Sequence, residues 1–336
     1  MKIKAAVLGA TGYIGIELVK HLLEHPDVVS ITPYSFSSGG KNMSEFDKSF
    51  TNIPGKIMNA VEIDFDDYDI VFFACPNGIA MKHYEKFIDK KSKVIDLAAD
   101  FRLDDPSIWK DFYGEEHYIP EVISKITYGL SEINRENIRN SKIVANPGCY
   151  PTAALIPLYP LVREDLIDKN NIIIDAKSGY SGAGRKKLDD GLKNEIEDNF
   201  MAYGILCHRH MPEINQELSK MSKDKVEVLF TPHIIPTFRG ILETIYLRLV
   251  KDVDINDICK IYENYYKDES YIKFTKNKAP NIKDVLKTNI CSFSIHKEEE
   301  NKLILVSCID NLVKGAAGQA IQNMNLMFNL KESSGL

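Results

Sequence analysis

Along the first part of the chain, short apolar runs alternate with stretches of helical periodicity, the pattern of a parallel sheet whose strands are joined by helices. Ile3–Leu8 predicts a strand, Gly15–Leu23 a helix and Val28–Pro33 a second strand. The continuous apolar run Asp69–Ala74 predicts a strand covered on both faces. A helix over Gly78–Ile88, strands at Lys93–Asp96, Ile126–Leu130 and Lys142–Ala145, and a helix near Ile133–Arg139 complete this region. Beyond about residue 150 the texture changes. Longer strands are predicted at Ile172–Ser178, Val226–His233, Ile241–Val250, Ile290–His296 and Leu303–Asp310, with helices at Glu213–Met221 and Ile255–Tyr266. A last helix over Gly315–Leu330 carries an apolar stripe through Ala317, Ile321, Met324 and Phe328, and the polar tail Lys331–Leu336 is expected to fray. The fold class is therefore α/β: an N-terminal Rossmann-like parallel sheet, then an α+β domain with a mixed or antiparallel sheet. The boundary falls near residue 148.

Composition changes this picture little. The 336 residues suffice for two cores, and 44% apolar with 27% charged residues is ordinary for a globular protein. A net charge of −6 with no basic run argues against nucleic acid, and means that an anionic substrate needs a local cluster of cations. The apolar start Met1–Leu8 is too short for a leader and no window suits a membrane span. Six scattered cysteines (75, 149, 207, 259, 291, 308), with no C-x-x-C, predict reduced thiols in the cytoplasm and call for neither disulfide nor metal.

Two turns carry chemistry. Gly9, Thr11, Gly12, Tyr13, Ile14 and Gly15 lie in a G-x-x-G-x-x-G loop between the first strand and the first helix, a variant of the dinucleotide fingerprint. The segment after the second strand contains Ser35, Ser37, Ser38 and Lys41 and no carboxylate, so a 2′-phosphate is tolerated and NADP(H) is favoured over NAD. The second turn, Asn146-Pro147-Gly148-Cys149-Tyr150-Pro151-Thr152, joins a strand to an apolar helix. Cys149 then stands at a helix N-terminus, where the dipole favours a thiolate, the nucleophilic form. His208 and His210 flank Arg209 just before the helix that begins near Pro212. They are candidates for the acid/base, with His210 preferred.

The Asn146–Thr152 motif resembles the active-site motif of N-acetyl-gamma-glutamyl-phosphate reductases, relatives of aspartate-semialdehyde dehydrogenases. The likeness runs along nearly the whole chain through Gly9–Gly15, Asp96–Leu103, Tyr128–Glu132, Ser178–Arg185, His208–Ile214, His233–Ile241 and Asp310–Ala320. Phe36 departs from the pattern, because the resemblance leads one to expect a basic residue there. The resemblance implies NADPH-dependent reduction of N-acetyl-gamma-glutamyl phosphate to the semialdehyde and phosphate through a thioester on Cys149, in arginine biosynthesis. It implies an NADP-binding domain over 1–148 completed by helix 314–330, a catalytic and dimerisation domain over 149–313, and a homo-oligomer, dimer or tetramer. It places Asn311 near the nicotinamide, one histidine as acid/base, and a substrate bearing phosphate and carboxylate. For those two anions Arg102, Arg185, Arg209 and Arg239 are the candidates, with Ser181 and the backbone N–H groups of Ser178–Gly184 beside them. Competing readings are the same chemistry on an aminoadipyl or aspartyl phosphate, a Cys/His acyl hydrolase, and a non-catalytic nucleotide sensor.

Overall fold

In the computed structural model, which describes residues 2–50, 55–222 and 224–336, the chain divides into two compact units. One is Met1–Pro147 with Ala316–Leu336, the other Gly148–Gly315.

The first unit is built on β1 (Ile3–Leu8), β2 (Val28–Ser35), β3 (Met58–Asn59), β4 (Ile70–Phe73), β5 (Lys93–Asp96), β6 (Thr127–Tyr128) and β7 (Ile143–Ala145). They form one sheet in the order β3-β2-β1-β4-β5-β7-β6, and every pairing is parallel. Both faces are buried, which is why these strands read as unbroken apolar runs. Val7, Ile70, Phe72 and Ile95 meet Leu18, Leu22, Ile321 and Met324 on one side. Leu8, Val71, Phe73 and Val94 meet Phe87 and Trp109 on the other. The order reverses between β1 and β4, and such a reversal opens a crevice at the carboxyl ends of the strands.

The predicted helix over Gly78–Ile88 is broken at His83 into Ile79–Lys82 and Tyr84–Phe87. The C-terminal helix, Gly318–Met327, is buried on all sides, its polar residues included. Gln319 donates to Ser131 Oγ at 2.7 Å, and Asn323 donates to the Gly129 carbonyl at 2.8 Å. The expectation of a frayed tail is corrected. Glu332 pairs with Arg135 at 3.1 Å, Asn325 donates to the carbonyls of Glu332 and Ser334, and Leu336 packs on the core.

The second unit contains β8 (Ile172–Gly179), β9 (Met201–Ala202), β10 (Val228–Ile235), β11 (Ile241–Arg248), β12 (Ile272–Phe274), β13 (Cys291–Lys297) and β14 (Lys302–Ile309). Their order is β12-β13-β14-β11-β8-β10-β9. β8–β10 and β12–β13 are parallel and the remaining pairs antiparallel, so the sheet is mixed. Burial alternates along β11, with Ile241, Glu243, Ile245 and Leu247 inward. The inner face is covered by the helices Cys149–Arg163 and Ile255–Tyr266.

The helix Cys149–Arg163 carries Pro157 and Pro160 in its interior. Each removes the N–H that would have bonded the carbonyl four residues earlier. Hydroxyls from neighbouring elements replace them: Ser307 donates to the Ala153 carbonyl at 2.8 Å, and Tyr266 donates to that of Ile156. Among the described residues no helix is long and apolar enough to cross a membrane.

Candidate active site

In the first unit, Gly9 ends β1 with φ +82°. A Cβ there would stand 2.2 Å from the Ala74 carbonyl oxygen beyond β4, so the side chain is excluded by both dihedral and space. At Gly15 a Cβ would stand 2.3 Å from the Gly9 carbonyl oxygen, so the helix can lie against the loop only without one. Gly12 caps the helix Tyr13–Glu24 without a side-chain hydrogen bond, and the first turn holds no acid. This is the arrangement that suits a pyrophosphate: a close backbone and a helix dipole with no competing carboxylate.

Beyond β2, only part of the expected phosphate-binding group faces the surface cavity of about 510 Å³ at this end of the sheet. Ser37 lines it, together with Phe36, Gly39, Gly40, Lys56, Asn59 and Glu62. Ser35 and Ser38 are buried, and Ser35 Oγ accepts the Ser37 amide at 3.3 Å. Lys41 does not line the cavity and lies over the Phe46 ring at 5.9 Å. Lys56 is the lysine of this cavity, and Lys41, Ser35 and Ser38 are not among the residues that line it. Lys56 lies far along the chain and reaches this place only through the β2–β3 pairing, so no local signal marked it.

In the second unit, Cys149 is the first residue of its helix, and Gly148 is the cap, with φ −67° and ψ 154°. The cap amide donates to Glu213 Oε1 at 2.8 Å. Glu213 is buried on the helix His210–Ser222, so the histidine-bearing helix clamps the turn that carries Cys149. The sequence reading quoted Glu213 within a motif and gave it no role. On the other side, a Cβ at Gly315 would lie 2.7 Å from the Cys149 Cβ. The glycine after Lys314 therefore lets the chain pack directly on Cys149.

Tyr150 joins this turn to the histidines. Its ring is edge-on to His208 at 5.5 Å and to His210 at 5.8 Å, and the two imidazoles are 4.9 Å apart. Their separation of two residues does bring them together, because the backbone turns into the helix at His210. His208 Nδ1 accepts the His210 N–H at 3.1 Å, which assigns the ring proton to Nε2. Burial, aided by the positive charge of Arg209, pushes the His208 imidazole down to about 4.

The loop Ser178–Gly184 does not offer the backbone donors expected of it at four positions. The amides of Gly179, Tyr180, Ser181 and Gly184 already donate to the carbonyls of Gly240, Thr237, Phe238 and Ser181. Ser181 is buried and its hydroxyl accepts from Asn311 Nδ2 at 2.9 Å. Asn311, expected beside the cofactor, uses its other end on the Gly240 amide at 2.7 Å, so its side chain braces two loops of its own unit. Arg239 forks onto the buried Asp310, with Nη2 to Oδ1 at 2.9 Å and Nε to Oδ2 at 2.7 Å. That guanidinium braces the turn after β14. Arg102, in the first unit, donates to the Asn146 and Leu97 carbonyls at 2.7 and 2.9 Å. Arg185 is half-buried beside Gly184 and Arg209 is exposed. Among the described residues no cluster of His, Cys, Asp and Glu could hold a metal.

Residues 4–141 match the semialdehyde dehydrogenase NAD-binding domain, and residues 149–311 the semialdehyde dehydrogenase dimerisation domain. Curated relatives include N-acetyl-gamma-glutamyl-phosphate reductases of Alkaliphilus metalliredigens, 46% identical, and Caldicellulosiruptor bescii, 44% identical, each alignment covering 99% of this chain and 98% of the relative. Among solved structures, aspartate semialdehyde dehydrogenase II from Vibrio cholerae superposes with a TM-score of 0.76 over 98% of this chain and 99% of that one, at 20% identity. The Candida albicans aspartate semialdehyde dehydrogenase with NADP gives 0.69 over 98% and 99%, at 16% identity. These two likenesses establish the fold.

Proposed function

The chain belongs to the N-acetyl-gamma-glutamyl-phosphate reductase family, and from that premise we propose that it reduces N-acetyl-gamma-glutamyl phosphate to N-acetylglutamate semialdehyde and phosphate with NADPH, in arginine biosynthesis. The observation that carries the reading is Cys149 at the first position of a glycine-capped helix, clamped by Glu213 and packed against by Gly315.

The Cys149 thiolate attacks the acyl carbonyl, the helix N-terminus favours the developing oxyanion, and the C–O bond to phosphate breaks to leave a thioester. Gly9–Gly15 would hold the pyrophosphate of NADP(H), which when bound would supply the hydride equivalent that the thioester needs. The tetrahedral alkoxide so formed on Cys149 collapses to the aldehyde and returns the sulfur as thiolate, and the one proton that the reaction consumes goes to the departing phosphate. His210 is the acid/base in this reading. His208 Nδ1 is already an acceptor for the His210 amide, and its neutral ring presents Nε2–H as a fixed donor. Arg185 and Arg209 remain as the anion partners in the second unit, with Arg102 fixed at the carboxyl end of the parallel sheet. At the cofactor end, Phe36 would offer an apolar wall to the adenine and Lys56 a cation to the 2′-phosphate of bound NADP(H).

In this reading 1–148 with the C-terminal helix holds NADP(H), and 149–313 carries catalysis and assembly. The outer face of the second sheet exposes Ile173, Leu229 and Tyr246 (36%, 49% and 43%), an apolar strip that suits a second copy. Sedimentation velocity tests this. The six cysteines stand as thiols, in keeping with a cytoplasmic enzyme. An assay of NADPH oxidation over a panel of N-acetylglutamyl, aminoadipyl and aspartyl phosphates tests the substrate. Preference for N-acetylglutamyl phosphate is expected, and preference for either other member refutes the assignment.

A further inference from the structure

Glu243 is the least expected side chain in the second unit. It sits in the middle of β11, has no exposure to solvent, and neither carboxyl oxygen has a hydrogen-bonding partner among the described residues. A buried carboxyl in that position is costly, and groups of this kind persist where they serve a purpose.

Its position can be traced from the strand register. Glu243 is directly opposite Ser307 on β14, and Ser307 is the residue whose hydroxyl satisfies the Ala153 carbonyl left orphaned by Pro157. Two residues along the same pair of strands, Ile241 is opposite Ile309. The Ile309 side chain and the Cys149 Cβ both crowd the space a Gly315 Cβ would take, at 3.2 and 2.7 Å. The nucleophile therefore lies over the Ile241–Ile309 pair, and Glu243 lies beneath the next turn of the same helix. At about 3.3 Å per residue, the two positions are about 7 Å apart along β11.

We propose that Glu243 is a positioning residue for the nucleophile. Held as a neutral acid, it supports the first turns of the Cys149 helix without opposing a thiolate, and as an anion it would oppose one. The inference rests on the reading of Cys149 as the nucleophile.

The surroundings favour the neutral form. Ala176 on β8 and Ser307 on β14 flank Glu243 and carry no charge. The helix carries Cys149 and Tyr150 in its first turn and Tyr159 and Arg163 toward its other end, and burial holds the Tyr150 phenol well above its usual range. β14 adds Cys308 and β13 adds Cys291, both buried thiols. The cation acting on Glu243 is Lys177 of β8, on the opposite face of the sheet and paired with Asp175 at 2.6 Å. Burial accordingly raises the Glu243 carboxyl well above the ordinary carboxylate range.

The test follows alkylation of Cys149 by iodoacetamide across pH 6 to 10, read by peptide mass spectrometry so that the other five thiols do not contribute. The full-length wild type is compared with Glu243→Gln and Glu243→Met, both neutral and of similar length. The profiles should coincide at the acid end, where the wild-type acid is also neutral. Over the range in which the wild-type carboxyl ionises, its anion opposes the thiolate, so the wild-type profile should be displaced to higher pH than those of both variants, and the curves should rejoin once the thiol is fully ionised. Superimposable profiles would overturn the proposal. So would failure of both neutral variants to fold by circular dichroism, since a side chain kept neutral must have neutral replacements. A Cys149 that shows no ionisation in any protein would instead count against the nucleophile itself.

Discussion

Two helices in this molecule begin in the same way and hold different things. Tyr13–Glu24 and Cys149–Arg163 each start at an extended glycine, Gly12 with φ −72° and ψ 164°, Gly148 with φ −67° and ψ 154°. Neither has a side-chain cap or an acid in its first turn. Both therefore present the positive end of a helix dipole to whatever anion arrives. The difference lies in the surroundings. Around Gly12 the chain is pared to backbone by Gly9 and Gly15, which leaves room for an anion that must come and go. Around Gly148 the space is filled by Glu213, Tyr150 and Gly315, because the anion there is the protein's own sulfur and must stay in one place. The same backbone device serves reversible binding where it is open and covalent chemistry where it is closed.

The sharpest way to break this comparison is to remove the tethered anion. Cys149→Ala should lower turnover by roughly 10⁴-fold or more while NADPH titration by fluorescence is unchanged. Loss of both would mean that the two helix starts are not separate devices.

The next effect is on stability. The His208 imidazole is held neutral, at about 4 against 6.5, so below pH 6.5 the unfolded chain binds a proton that the folded one refuses. Stability should fall as pH drops from 6.5 to 4, by about 3 kcal/mol in total, and level off below. Urea unfolding at several pH values measures it, and His208→Gln should flatten the slope.

Exchanging one glycine at each helix start separates the two roles. Gly315→Ala pushes on the Cys149 Cβ and should lower kcat by roughly 30-fold with NADPH affinity kept. Gly15→Ala pushes on the Gly9 carbonyl and should weaken NADPH binding by a similar factor with Cys149 alkylation kept. The smallest effect is at the rim of the open site. Lys56→Ala should raise the Kd for NADPH by about 10-fold and leave that for NADH unchanged, whereas Lys41→Ala should alter neither.

These predictions divide along the line between what was legible in the chain and what was not. The strand-to-glycine-to-helix sequences at Gly9–Gly15 and Gly148–Cys149 are local, so spacing alone places a glycine-capped helix start at each. The alternation of strands and helices likewise reveals a parallel sheet followed by a mixed one. What escaped depends on partners distant in sequence. The amides of Gly179, Tyr180 and Ser181 read as open donors until the loop before β11 takes them, and the Arg239 guanidinium gives no local sign of its pairing with Asp310. Glu213 and Lys56 carry no local mark, because their importance comes from the Gly148 amide and the Phe36 cavity beside which the fold sets them. The polar tail reads as loose because its anchors, Arg135 and Asn325, lie on two different helices.

The account is tested most directly by mixing the enzyme with N-acetyl-gamma-glutamyl phosphate in the absence of NADPH and following released phosphate and protein mass together. It predicts a burst of one phosphate per active site and an N-acetylglutamyl group on the tryptic peptide bearing Cys149. Phosphate release without acylation of that peptide, or acylation at another residue, would contradict it.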